Sequence, residues 1–265
     1  MSALLFEKNG EIGIIKFNRP DSMNAIGLVG DGAVFEEICN EINNDKNLRV
    51  IIITGQGRAF SAGGDIKSMR DKTGIFAGSA YEIAQNYKTE VRKMVHGIWN
   101  IELPLIAAIN GPAVGLGCDV ASMADIRIAS NNAKFGLSFL KIGLIPGDGG
   151  AWLAPRAFGF SNASRLLYSG EIIDAKKAYE WGYISEITEA DELEDAAFGL
   201  AQSIAKQPPQ ALRFTKSLLR QGMKLDFDAI LEMSADIQGM LHHTQDHLEG
   251  IKAIIEKREP NFKGC

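Results

Sequence analysis

The chain has 265 residues, 46% of them hydrophobic and 23% charged, with a net charge of -5. It is long enough to bury a substantial core as one domain or a domain with an appendage, and its mild acidity offers no field for nucleic acid. No apolar run approaches bilayer length, no basic-then-apolar leader opens it, and Cys39, Cys118 and Cys265 have neither metal nor disulfide spacing, so a cytoplasmic protein without membrane contact is expected.

Residues 12 to 17 (IGIIKF) predict a strand stopped by Asn18-Arg19-Pro20. A helix follows with apolar positions at Val34, Ile38 and Ile42, and then Val50 to Gly55 (VIIITG), whose four consecutive apolar residues fit a strand buried on both faces. Gly57 to Ile66 (GRAFSAGGDI) is a glycine loop. From Tyr81 to Asn100 apolar residues recur at helical spacing. Strands separated by helices predict an α/β fold with a largely parallel sheet.

The densest signal runs from Ala107 to Gly150. A strand over Leu105 to Ile109 breaks at Asn110-Gly111-Pro112, and Gly115-Leu116-Gly117 leads into an apolar helical run holding Asp119. A strand over Ile126 to Ala129, Phe135-Gly136 and a final glycine cluster around Asp148 follow. Glycines at this density let a ligand oxygen approach backbone N–H groups, and an acid among apolar neighbours suits proton chemistry. The same residues could be a tight turn and a capping aspartate. Beyond Gly150, Asp174 and Gly182 bracket a short helix, and residues 191–206, 208–221 and 226–257 read as amphipathic helices, the last with an extended apolar stripe.

Several motifs fail. Gly115-Leu116-Gly117 lacks the third glycine of a dinucleotide fingerprint, and neither Gly-Lys nor Gly-x-Ser-x-Gly occurs. His243 and His247, with His242 and Asp246 beside them, lack a third zinc ligand and read as a solvated helix face; His96 reads as structural.

AFSAGGDIKSM (Ala59 to Met69), IAAINGPAVGLGCDVASMADIRIAS (Ile106 to Ser130) and KFGLSFLKIGLIPGDGG (Lys134 to Gly150) together resemble the crotonase superfamily of enoyl-CoA hydratases and isomerases, as do FNRPDSMNAI and EKREPNFK near the two ends. The resemblance implies a core of repeated ββα units over residues 1–195, a helical segment over 196–265 serving oligomerisation and active-site cover, and a homotrimer or dimer of trimers. It implies an acyl-CoA thioester substrate, with coenzyme A as part of that substrate and no metal or other cofactor. The backbone N–H groups of Gly64 and Leu116 would hold the thioester oxygen. Leu116 stands where a glycine is common. Ala62, Gly63, Gly64, Asp65 and Ile66 would line the coenzyme A path, with Arg19, Lys67 and Lys257 as phosphate contacts.

Of the two glutamates of the familiar hydratases, one falls on Asp119 and the other on Phe139, which carries no proton. Water addition benefits from two proton-handling groups, whereas one acid suffices to move a double bond. The expectation is therefore an enoyl-CoA isomerase with Asp119 as its acid, hydratase, thioester hydrolase and non-catalytic acyl-CoA-binding paralogue being the alternatives. Asp148 is either an extra acid or the N-cap of the helix beginning at Ala151.

Overall fold

A computed structural model describes residues 2–265. In chain order its elements begin with β1 (Leu4–Asn9), β2 (Ile12–Phe17), α1 (Asp31–Asn44), β3 (Val50–Gly55), α2 (Ile66–Asp71), α3 (Ala80–Asn86) and α4 (Arg92–Trp99). The middle of the chain holds β4 (Leu105–Ile109), β5 (Ala113–Val114), α5 (Leu116–Met123), β6 (Ile126–Ser130), β7 (Lys134–Gly136), α6 (Gly150–Phe158), α7 (Phe160–Ser169) and β8 (Ile172–Asp174). Then come α8 (Ala175–Glu180), β9 (Glu186–Thr188), α9 (Leu193–Ala205), α10 (Pro209–Gly222), α11 (Phe227–Leu241) and α12 (Gln245–Glu256).

Six strands form one sheet in the order β1-β2-β3-β4-β6-β9, parallel except for the β1–β2 hairpin; β5, β7 and β8 form a small second sheet. Strand alternation explains the unbroken VIIITG run. Val50 and Ile52 point with Ile106, Ala108 and Ile128 toward α9, whereas Ile51 and Ile53 point with Leu105, Ala107 and Ile109 into the larger core under α1, α4 and α5. Helix α9 meets the sheet through Leu193, Ala197, Ala201 and Ala205, one residue per turn, and three of the four are small enough for close approach. The expected division between residues 195 and 196 therefore falls inside a helix that completes the core.

Four sequence expectations change. The strand before residue 12 was not anticipated, because its residues Phe6 to Asn9 are partly or fully exposed at the sheet edge. The helix over Tyr81 to Asn100 contains a π turn at Tyr87–Val91, closed by Arg92 N–H on the Tyr87 carbonyl. The expected helix over 226–257 is two helices, because Thr244 takes the His247 N–H and starts α12 afresh. That corner brings His242, not His243, against His247, with ring nitrogens 3.0 Å apart. His96 is exposed rather than packed.

Helix α10 docks on the core through charge. The Lys216 ammonium is buried against the Leu103 carbonyl (2.6 Å) and Asp125 (2.8 Å), and burial pulls its pKa down to about 8. Arg220 lies 3.5 Å over the Trp99 ring, which meets Trp152 edge-on at 5.2 Å. Helix α11 has no buried residue, and α12 buries only Asp246 and Ala253. No helix among the described residues is long and apolar enough to cross a membrane.

Candidate active site

The two glycine loops lie against each other, backbone to backbone. Ser61 N–H donates to the Pro112 carbonyl (3.1 Å) and Val114 N–H to the Ser61 carbonyl (3.0 Å). A Cβ on Gly63, whose φ is +81°, would sit 2.6 Å from the Val114 carbonyl oxygen, and one on Gly117 would strike the Ser61 carbonyl. Only glycine allows this apposition. The first loop is also sewn to the N-terminal segment: Asn24 donates to the carbonyls of Gln56 and Ala59, and Ile26 N–H reaches the Gly63 carbonyl.

These contacts place Gly64 and Leu116 side by side on a cavity of about 650 Å³. Neither amide donates a hydrogen bond to any group among the described residues. Two free N–H groups on a mostly apolar cavity are suited to an oxygen that gains negative charge during reaction.

Two buried acids accompany these amides. Asp119, in the first turn of α5, has 0% exposure, and neither carboxylate oxygen has a hydrogen-bond partner among the described residues. It rests over Gly150, where a Cβ would lie 2.5 Å and 2.6 Å from its two oxygens. Burial first, and the charge of Asp148 second, hold its pKa well above the usual carboxylate range. The helix dipole expected to favour its charge is overridden.

Asp148 is not an N-cap. Gly149, at φ +99°, occupies the cap position of α6, and no side chain caps that helix. The carboxyl of Asp148, 8% exposed, instead lines the cavity, and burial pushes its pKa up to about 6. Asp148 is among the cavity-lining residues and Asp119 is not. Phe139 also lines the cavity, its ring 3.7 Å from where a Cβ on Gly115 would lie.

The other expected contacts separate. Ala62, Gly64 and Ile66 line the cavity; Gly63 lies behind it, holding the loops together, and Asp65 caps α2 by accepting from Lys67 N–H and the Ser68 hydroxyl. Arg19 is not a free phosphate contact: its guanidinium grips Asp31 with bonds of 2.8 Å and 2.6 Å and donates to the Ala25 carbonyl. Lys67 and Lys257 are exposed and lie outside the cavity lining. Sequence reasoning missed Tyr87, Phe76 and Lys141 as lining residues; helical periodicity marks Tyr87 as inward but says nothing of a cavity. No three His, Cys, Asp or Glu side chains among the described residues are grouped to hold a metal ion.

Residues 7–265 match the family model described as enoyl-CoA hydratase/isomerase. The chain belongs to the enoyl-CoA hydratase/isomerase family. It is 34% identical to the crotonyl-CoA hydratase of Syntrophomonas wolfei, over 98% of this chain and 97% of that one. To the 1,2-epoxyphenylacetyl-CoA isomerase of Escherichia coli it is 33% identical over 94% of each. The crystal structure of enoyl-CoA hydratase from Bacillus anthracis superposes with a TM-score of 0.92 at 31% identity, covering 99% of this chain and 100% of that one. The fold is thus the crotonase fold, and the family's chemistry is that of acyl-CoA thioesters.

Proposed function

We propose that this family member adds water reversibly to a 2-enoyl-CoA thioester, with Gly64 and Leu116 N–H groups holding the thioester oxygen and Asp148 handling the proton. The observation that carries this reading is Asp148, the one acid among the cavity-lining residues, together with the two uncommitted amides of Gly64 and Leu116. The isomerase expectation put the single acid at Asp119, whereas the acid on the cavity is Asp148, and the choice between the two reactions leans on the relatives. The hydratase names of the Syntrophomonas and Bacillus relatives agree with water addition.

With a pKa of about 6, Asp148 is ionised at neutral pH. Its carboxylate takes a proton from water as the water oxygen bonds to Cβ. Electrons of the double bond move onto the thioester oxygen, where the two N–H groups stabilise the enolate. Asp148 then returns the proton to Cα, completing a 3-hydroxyacyl-CoA. Asp119, kept neutral by burial, spares the site a second negative charge.

The second reading is double-bond isomerisation. Phe139 favours it, since an apolar ring in the cavity excludes water while Asp148 alone can take a proton from Cα and return it to Cγ. Incubation with 2-enoyl- and 3-enoyl-CoA panels separates these. A hydrated product is expected. Isomer without hydrated product would exchange the two readings, free CoA would indicate a thioester hydrolase, and binding without turnover would indicate a non-catalytic paralogue.

The same reading includes a homotrimer or dimer of trimers. Phe227, Leu231, Ile254 and Ile255 on α11 and α12 are 56% to 77% exposed, and burying them would be favourable. A monomer by light scattering at micromolar concentration would contradict it.

A further inference from the structure

We propose that Tyr87 is a positioning residue for the attacking water: its phenolic oxygen accepts one hydrogen of the water whose other hydrogen passes to Asp148. This rests on the hydration reading and assigns a part of the site that the two acids and two amides leave open.

Tyr87 opens the π turn of Tyr87–Val91 and lines the cavity together with Asp148. Its ring carbon Cε1 lies 3.8 Å from where a Cβ on Gly147 would be, so the ring packs along the backbone immediately before the acid. The position is fixed from two sides. The Phe76 ring meets it edge-on at 6.4 Å, and Asn86 donates to the Ile75 carbonyl (2.9 Å), tying the helix to the turn that carries Phe76. A side chain held this way places its hydroxyl with little entropy left to lose on binding. π turns occur disproportionately at functional sites.

The hydroxyl is also uncommitted. Of the two hydroxyl side chains lining the cavity, Ser138 donates to the Gly170 carbonyl (3.3 Å), whereas Tyr87 has no hydrogen-bond partner among the described residues. Lys88 and Lys141, also on the cavity, are exposed ammonium groups with no acceptor capacity. Burial and the charge of Asp148 both raise the Tyr87 pKa, so the phenol stays neutral and its oxygen can accept from water. In the step itself one O–H bond of water breaks to Asp148 as the water oxygen bonds to Cβ. The second O–H bond remains intact in the product hydroxyl, pointing at Tyr87.

Tyr87→Phe keeps the ring and its packing and removes the acceptor. Two rates are compared with wild type: hydration of a short-chain 2-enoyl-CoA, and exchange of Cα hydrogen for deuterium in the matching saturated acyl-CoA in D2O. The exchange uses the amides and Asp148 but no attacking water. We expect hydration kcat to fall about tenfold, the loss of one neutral hydrogen bond, with exchange and melting temperature unchanged. Unchanged hydration in Tyr87→Phe overturns the proposal. A parallel fall in both rates does too, since Tyr87 would then be acting on the acid or the fold. A wild type that exchanges Cα hydrogen but hydrates no 2-enoyl-CoA overturns the hydration reading itself, and this inference with it. A wild type that hydrates without exchange removes Asp148 from the Cα proton and equally overturns the proposed pairing.

Discussion

The cavity's two walls are built from different material. One is backbone: Gly64 and Leu116 present amides whose places are set by loop-to-loop hydrogen bonds and by contacts too close for any Cβ at Gly63 or Gly117. The other is side chain: Asp148 stands on a loop, Tyr87 on a π turn and Phe139 on a 3-10 turn, with exposed Ile142 and Ile145 beside them. In the proposed reading the backbone wall fixes what every substrate shares, the thioester carbonyl. A side-chain wall can be rebuilt residue by residue, and it is where this chain departs from the two-glutamate pattern.

The largest effect should come from the side-chain wall. Asp148→Asn should lower turnover on the order of 10²–10⁴-fold, as for loss of a general base, with binding of a saturated acyl-CoA retained. The wild-type rate should climb through pH about 6 as Asp148 ionises. Stability should run the other way. The native state holds this proton up to about pH 6 where an ordinary carboxyl, near 3.8, has lost it. The stabilisation is therefore complete below the unfolded pKa and is lost as pH rises through about 6, a swing on the order of 3 kcal/mol. Thermal melts of Asp148→Asn and wild type should match near pH 4 and separate toward pH 8, with the variant the more stable. An Asp148→Asn protein that turns over at the wild-type rate would end its role as the acid.

Gly64→Pro tests the backbone wall. Deleting one oxyanion donor typically costs about 10²–10³-fold in kcat, and wild-type turnover by a folded Gly64→Pro protein would remove the assignment. The smallest effect belongs to Asp119→Asn. A neutral amide replaces an acid that burial already keeps neutral, so the rate should fall by no more than about tenfold. A loss as large as that of Asp148→Asn would return the proton to Asp119.

Legibility in the sequence followed the same division. The family resemblance of the two glycine loops pointed to the amides at Gly64 and Leu116, and VIIITG announced a strand buried on both faces, because both features are local in the chain. Arg19 and Asp65 misled because a charged residue near a ligand loop looks the same whether it faces the ligand or, as here, ties down Asp31 or caps α2. Asp148 misled because glycines flank it on both sides, and only the fold decides which of Asp148 and Gly149 takes the cap. Tyr87 was legible as an inward helix position but not as a cavity residue, since the turn bearing Phe76 and the loop bearing Gly147 are distant in sequence.

The stack of Arg220, Trp99 and Trp152 has an optical consequence. Two of the chain's three tryptophans meet there, and Trp152 follows Asp148 by one turn of α6. Arg156 lies 4.0 Å over the far ring, so both indoles sit beside a guanidinium that tunes their emission. The tryptophan emission of the protein should thus report on how α10 docks against α4 and α6, with no label and no turnover.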